Sequence, residues 1–200
     1  MTIRDLVLYI EELGGIATSA QLKKAGFSPG LIDYAFKRGD IDRLTRGVFC
    51  SADVMEDDFA AICARWKKCV LSHGSALYLL GLSDRVPLAP DVTVPHGYNP
   101  RSLKVENPGI RIHRVDPGLY RLGITETVTP FGARVRIYNA ERSIADLIKL
   151  RAKGAVDAQL IRDAIGGYFK KSKRDLARLS AMCSAVGVRD ELQIYLEVLT

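Results

Sequence analysis

Few features of this 200-residue chain announce catalysis, metal binding or a membrane. Its four cysteines, Cys50, Cys63, Cys69 and Cys183, are too scattered for a CxxC site, and no histidine stands at ligand spacing from a pair of them. Free thiols are expected, with Cys63 and Cys69 as small buried hydrophobes. No apolar run approaches the roughly eighteen residues needed to cross a bilayer, and MTIRDLVLYIEELGG carries acids too early for a signal peptide. A cytoplasmic protein with no membrane partner is expected. A GxSxG elbow and a phosphate-cradling glycine loop are both missing, and Gly74-Ser75 is not followed by the paired aspartates of a nucleotidyltransferase. The acids are scattered rather than clustered around a divalent metal. The expectation is therefore a protein that is not an enzyme and needs neither cofactor nor metal.

What is present is ordinary for a folded chain: 48% hydrophobic and 26% charged residues, enough length for one large domain or two small ones. Two are expected, 1–52 and 53–200. The net charge of +6 is unevenly spread. Residues 1–50 hold 7 Lys and Arg against 6 Asp and Glu, residues 51–96 hold 4 against 6, and residues 97–200 hold 18 against 11. Bulk charge thus says little about the N-terminal part, whereas its local distribution says more. Lys23, Lys24, Lys37, Arg38, Arg43 and Arg46 gather within residues 23–46 against Asp33, Asp40 and Asp42.

The first fifty residues read as three helices and a hairpin. Thr2 with Asp5 forms a capping box, and Ile3, Leu6, Val7, Ile10 and Leu13 share one face before Gly14-Gly15. Ile16-Ala17 is a short extended link, and Thr18 or Ser19 caps a brief helix that stops at Gly26 with Leu22 and Ala25 inward and Phe27 beneath the turn. Ser28-Pro29 is an N-cap and first-turn pair, so a third helix runs to Arg38 and closes at Gly39. Its apolar stripe is Leu31, Ile32, Ala35 and Phe36. Its displayed face is Gly30, Asp33, Tyr34, Lys37 and Arg38. Residues 41–50 alternate and turn at Arg46-Gly47, a two-stranded wing. This is the order of a winged helix-turn-helix, in which the later helix enters the major groove. The candidate DNA-binding residues are Ser28, Gly30, Tyr34, Lys37, Arg38, Arg43 and Arg46. Asp33, which would repel phosphate, counts against them.

Beyond the wing, Asp53 to Lys68 has helical spacing in Phe59, Ile62, Cys63 and Trp66, as a bridge between the domains. Val70 to Leu82 reads as a strand leading into a short helix capped by Ser72. Ser72, His73 and Ser75 could be nucleophile and base, but capping and packing is the preferred role. Four β-branched stretches, 91–94, 109–113, 125–129 and 135–138, suggest a mixed or antiparallel sheet. Arg111, His113, Arg134 and Arg136 alternate with apolar neighbours, as on a basic sheet face. Asn139 caps a helix to Leu150, further helices follow over roughly 157–168, 173–186 and 189–199, and Lys170-Lys171-Ser172-Lys173-Arg174 is a basic run. The fold class expected is α+β: a winged helix-turn-helix, then an α+β domain with a small mixed sheet and a helical C-terminus.

Three segments resemble the AbiEi family of antitoxins and transcriptional repressors from type IV toxin-antitoxin, or abortive infection, systems: GGIATSAQLKKAGFSPGLIDYAFKRGDIDRLTRGVF from Gly14 to Phe49, LSHGSALYLLGL from Leu71 to Leu82 with VTVP from Val92 to Pro95, and YNAERSIADLIK from Tyr138 to Lys149. The resemblance implies a repressor that binds double-stranded DNA at promoter inverted repeats, as a monomer or a DNA-induced dimer. It also implies an antitoxin that counteracts a nucleotidyltransferase-like toxin without a stable complex, as part of phage defence. The recognition helix and wing, Tyr34, Lys37, Arg38, Arg43 and Arg46, carry over from the family. The alternatives are a stand-alone winged-helix regulator without a toxin and a nuclease fused to a DNA reader.

Overall fold

Capping chemistry sets the first elements of the structure, a computed structural model that describes residues 1–51, 57–152, 154, 156–171 and 174–199. Thr2 and Asp5 form the expected reciprocal box, Oγ1 of Thr2 accepting from Asp5 N at 3.2 Å and Asp5 Oδ2 from Thr2 N at 2.7 Å, which starts α1 (Ile3–Glu12). Its inward residues Leu6 and Ile10 are fully buried. Ile16–Thr18 is a true strand, β1, and not merely a link, because it pairs antiparallel with a later strand. Thr18, and not Ser19, caps α2 (Ser19–Lys24), in a second box with Gln21. Ser28 caps α3 (Pro29–Arg38), which Gly39 closes at a φ of 79° that any β-carbon would resist.

The hairpin follows as β2 (Ile41–Thr45) and β3 (Val48–Ser51). Strand β3 lies between the other two in the order β1-β3-β2, so the expected two-stranded wing is part of a three-stranded sheet. Leu6, Ile10, Ala17, Leu22, Phe27, Ile32, Ala35 and Ile41 form the core beneath it. Phe27 sits under the turn as expected, its ring 5.5 Å from that of Tyr9. The helix expected from Asp53 is α4 (Asp58–Arg65), capped by Asp57; its first expected residues, 53–56, lie outside the described residues. It packs on the three-stranded sheet, and Arg65 bonds Thr45 of β2 at 2.8 Å.

The remaining elements are β4 (Val70–Leu71), α5 (His73–Leu79), β5 (Asp91–Pro95), α6 (Arg101–Glu106), β6 (Arg111–Val115), α7 (Pro117–Arg121), β7 (Ile124–Val128), β8 (Arg134–Tyr138), α8 (Ala140–Ala152), α9 (Ala158–Phe169), α10 (Leu176–Val186) and α11 (Arg189–Leu199). The four expected strands are present, and with β4 they make a five-stranded sheet in the order β6-β5-β4-β8-β7. The sheet is mixed: β4 runs antiparallel to β5 and parallel to β8, and β5 runs parallel to β6. The short helices α6 and α7 are not foreshadowed in the sequence, being too brief to show a period. The fold is α+β with a helical C-terminus, as expected.

Helix α8 is the hub of that half. Eight consecutive residues, Glu141 to Ile148, are buried, so it is covered on all sides by α5, α9, α10 and α11 rather than along one stripe. Ile144, Leu147, Ile148, Ile161, Ile165 and Leu179 lead its core. The chain divides into two compact units, Met1–Cys69 with Val128–Val135, and Val70–Thr127 with Arg136–Thr200. Among the described residues no helix is long and apolar enough to cross a membrane. All four cysteines are buried free thiols, and burial pushes the Cys183 thiol up to about 12.

Candidate nucleic-acid interface

Helix α3 owes its displayed face to a narrow buried stripe. Ile32 and Ala35 point inward at 4% and 0% exposure, leaving most of the helix circumference free to face solvent. Ser28, Gly30, Tyr34, Lys37 and Arg38 are all exposed, and so are Arg43 on β2 and Arg46 at the turn of the hairpin. Nothing lies within 4 Å of where a β-carbon on Gly30 would stand, so the absence of a side chain there leaves the helix backbone open to approach. Ser28 is spent on the cap, its Oγ accepting from Leu31 N at 3.2 Å.

The hairpin is fixed against the helices by one residue. Ser19, the first residue of α2, donates from its backbone to the carbonyl of Gly47 at 2.8 Å and again from Oγ at 3.3 Å. Gly47, at φ 78°, lets the hairpin turn tightly after Arg46. A groove of 240 Å³ opens where α2, α3 and the hairpin meet, lined among others by Ser19, Lys23, Asp33, Phe36, Arg43 and Phe49.

The cations are held loosely. Lys37 pairs with Asp33 at 2.7 Å and Arg38 with Asp40 at 3.1 Å, and the Arg38 guanidinium lies 5.8 Å from the Tyr34 ring centroid. The side chains of Lys37 and Asp33 are 71% and 60% exposed, so solvent screens their pair and the ammonium can exchange Asp33 for another anion. Asp33 does not stand as an isolated charge against phosphate; its hydrogen bond holds the Lys37 ammonium above the usual lysine range.

Residues 4–52 match the family model described as transcriptional regulator, AbiEi antitoxin. Every candidate DNA-binding residue lies within the matched residues, which take in α1 from its second residue, α2, α3 and both strands of the hairpin. No curated protein matches the chain. Among solved structures it is similar to the RV2827C protein from Mycobacterium tuberculosis, with 15% identity over 96% of this chain and 79% of that one, at a TM-score of 0.45.

Two expectations need correction. Helical periodicity puts Phe36 on the inner stripe, but 38% of it is exposed, and it lines the groove beside Lys23 and Arg43. It sits at the edge of a stripe that Ile32 and Ala35 already fill, and the small number of residues needed to seat so short a helix is the signal that points to it. The basic sheet face is present but divided. The pairings of Thr93 with His113, Val70 with Thr93 and Leu71 with Ile137 put Arg111 and His113 of β6 on the same face as Arg134 and Arg136 of β8, with β5 and β4 between the two pairs. Ser72 stands at the N-cap of α5 but makes no capping bond; Thr93 Oγ1 donates to its Oγ at 2.9 Å, and His73 Nδ1 is 3.0 Å away. Ser72 and His73 therefore meet through their side chains. In the basic run at 170–174, Lys171 donates to the carbonyl of Leu80 and Arg174 to that of Phe169, while 172 and 173 lie outside the described residues.

Proposed function

We propose that this protein is a DNA-binding transcriptional repressor whose first fifty residues act as a winged helix-turn-helix. The observation that carries the reading is the display of Tyr34, Lys37 and Arg38 on α3 next to Arg43 and Arg46 on the hairpin, with Lys23 of α2 on the groove between them. A helix about 10–12 Å across fits the major groove, where Lys37 and Arg38 exchange their surface carboxylates for phosphates or base edges and the hairpin arginines follow the backbone. The family match over residues 4–52 supports regulation of transcription as the purpose of that binding. The wider resemblance of the chain to AbiEi proteins supports an antitoxin role: the protein autoregulates its operon at inverted repeats and counteracts a nucleotidyltransferase-like toxin encoded beside it.

Gel shifts on the protein's own promoter test the DNA-binding part. Lys37→Ala with Arg38→Ala should weaken binding tenfold or more and flatten the dependence of log affinity on log salt by about 0.9 for each phosphate that is no longer neutralised. An unchanged affinity and slope would count against α3 as the reading helix. The antitoxin part is tested separately, by co-expression with the neighbouring nucleotidyltransferase gene: growth is restored if the reading is right, and persistent toxicity with soluble protein present refutes it.

A further inference from the structure

All three histidines of the chain, His73, His96 and His113, converge on a cavity of 310 Å³ inside the second unit. The register of β5 and β6 explains the first step. Asp91 pairs with Arg111 and Thr93 with His113 in a parallel ladder, so these four residues share one face, while Val92 and Val94 fill the other. Asp91 accepts from Arg111 through Nε at 2.8 Å and Nη2 at 2.7 Å, and lies 3.0 Å from His113 Nε2. Its charge is thereby consumed at one side of the cavity.

His73 is delivered to the same place by strain. It has a φ of 47°, the one positive value for a residue other than glycine among the described residues, a conformation that L side chains disfavour. The next residue is glycine, and a β-carbon there would stand 3.0 Å from the Asp91 carboxylate and press on it. The strained turn stacks the His73 ring on that of His113, with centroids 3.6 Å apart.

Across the cavity stands α8. Arg142 is wholly buried there, its Nε on Asp146 at 2.9 Å and its Nη1 on the carbonyls of Leu119 and Leu122, yet its Nη2 has no partner. A guanidinium has five N–H donors, and although the Arg142 group stacks 4.4 Å from the Tyr138 ring centroid, that contact gives Nη2 no hydrogen-bond acceptor. An anion entering the cavity would supply the missing acceptor. Two turns further along α8, Lys149 uses one proton on the carbonyl of Val186 at 3.0 Å and keeps two. The acids of the lining are Asp116, exposed and 3.9 Å from His96, and Asp146, already bonded to Arg142.

We propose that this cavity binds a small phosphate, either inorganic phosphate or a phosphate monoester, with Lys149 receiving it and Arg142 holding it from below. Arg and Lys two turns apart on α8 divide the work of planar and point-charge recognition, which suits a phosphate. The volume is at the lower end of small-molecule pockets, which limits the ligand to a compact one. A duplex backbone is the wrong occupant because the unpartnered nitrogen is enclosed within the unit. The site is independent of the DNA-binding reading and shares no residue with it.

Isothermal titration calorimetry on the full-length protein, in a buffer free of phosphate, decides the matter with inorganic phosphate, phenyl phosphate and acetate as probes. Saturable binding of at least one phosphate probe, with acetate at least tenfold weaker, is expected. If phenyl phosphate binds more tightly than inorganic phosphate, the natural ligand is an organic monoester; the reverse order assigns free phosphate. Lys149→Gln, whose amide can still donate to the Val186 carbonyl, should weaken binding tenfold or more while circular dichroism stays as in the parent. The proposal is overturned by no saturable binding of either phosphate probe, by undiminished binding to this variant, or by a DNA duplex that displaces the phosphate competitively.

Discussion

His73 shows how one residue carries a measurable signature. Burial in the first place, and the neighbouring His113 in the second, pull its imidazole down to about 3 from an ordinary 6.5. Between those two values the unfolded chain takes up a proton that the folded chain refuses, so stability falls as the pH drops from 6.5 toward about 3. Each pH unit in that window removes up to about 1.4 kcal/mol. Asp91 acts in the same direction: burial raises its carboxyl, but the bonds from His113 and Arg111 outweigh it and hold it low. Asp146, raised by burial, opposes them. Urea denaturation followed by circular dichroism should therefore show a steep acid loss of stability, and His73→Asn, which tolerates a positive φ, should make it shallower without abolishing it. An equally steep slope in the variant would mean that His73 is not buried as a neutral ring.

At the scale of elements, six helices of this chain begin where a side chain takes over an orphaned backbone amide. Thr2, Thr18, Ser28, Asp57, Asp157 and Asp175 all do so. Helix α2 depends most on its cap, because six residues cannot sustain a helix by propagation. Thr18→Ala removes the hydroxyl arm of the box and should destabilise the first unit by about 1 kcal/mol. Ser19→Ala loses only a 3.3 Å bond to Gly47 and should cost less. The chain's single tryptophan, Trp66, is 6% exposed within that unit and reports its unfolding by fluorescence. A larger loss for the Ser19 variant would reverse the assignment of the cap.

For the whole molecule, the proposed repressor presents one reading helix per chain, and inverted repeats then call for two copies related by a two-fold axis. Half-sites centred about one helical turn apart, roughly 34 Å or 10 base pairs, match that arrangement on one face of the duplex. Footprinting should show protection of both half-sites at that spacing. Inserting about five base pairs, half a helical turn, moves the second half-site to the opposite face and should abolish the joint protection; retained protection would mean that each copy binds alone.

The amino-acid order by itself determined what depends on near neighbours. The Thr2 box, the Ser28-Pro29 start and Gly39 stop of α3, the turn at Arg46-Gly47 and the four β-branched strands are set within a few residues, where caps, left-handed glycines and period-two patterns act. The exposure of Tyr34, Lys37, Arg38, Arg43 and Arg46 followed from the same periodicity. Tertiary structure alone decided the rest. The order β6-β5-β4-β8-β7 separated arginines that alternate alike in sequence, and it brought Asp91 to Arg111 and His113, about twenty residues away. Phe36 surfaced because Ile32 and Ala35 had already filled the space beneath α3. The cavity drew His73, His113 and Arg142 from three distant elements. Strand pairing and helix docking join segments far apart along the chain, and no local pattern encodes which partner each will find.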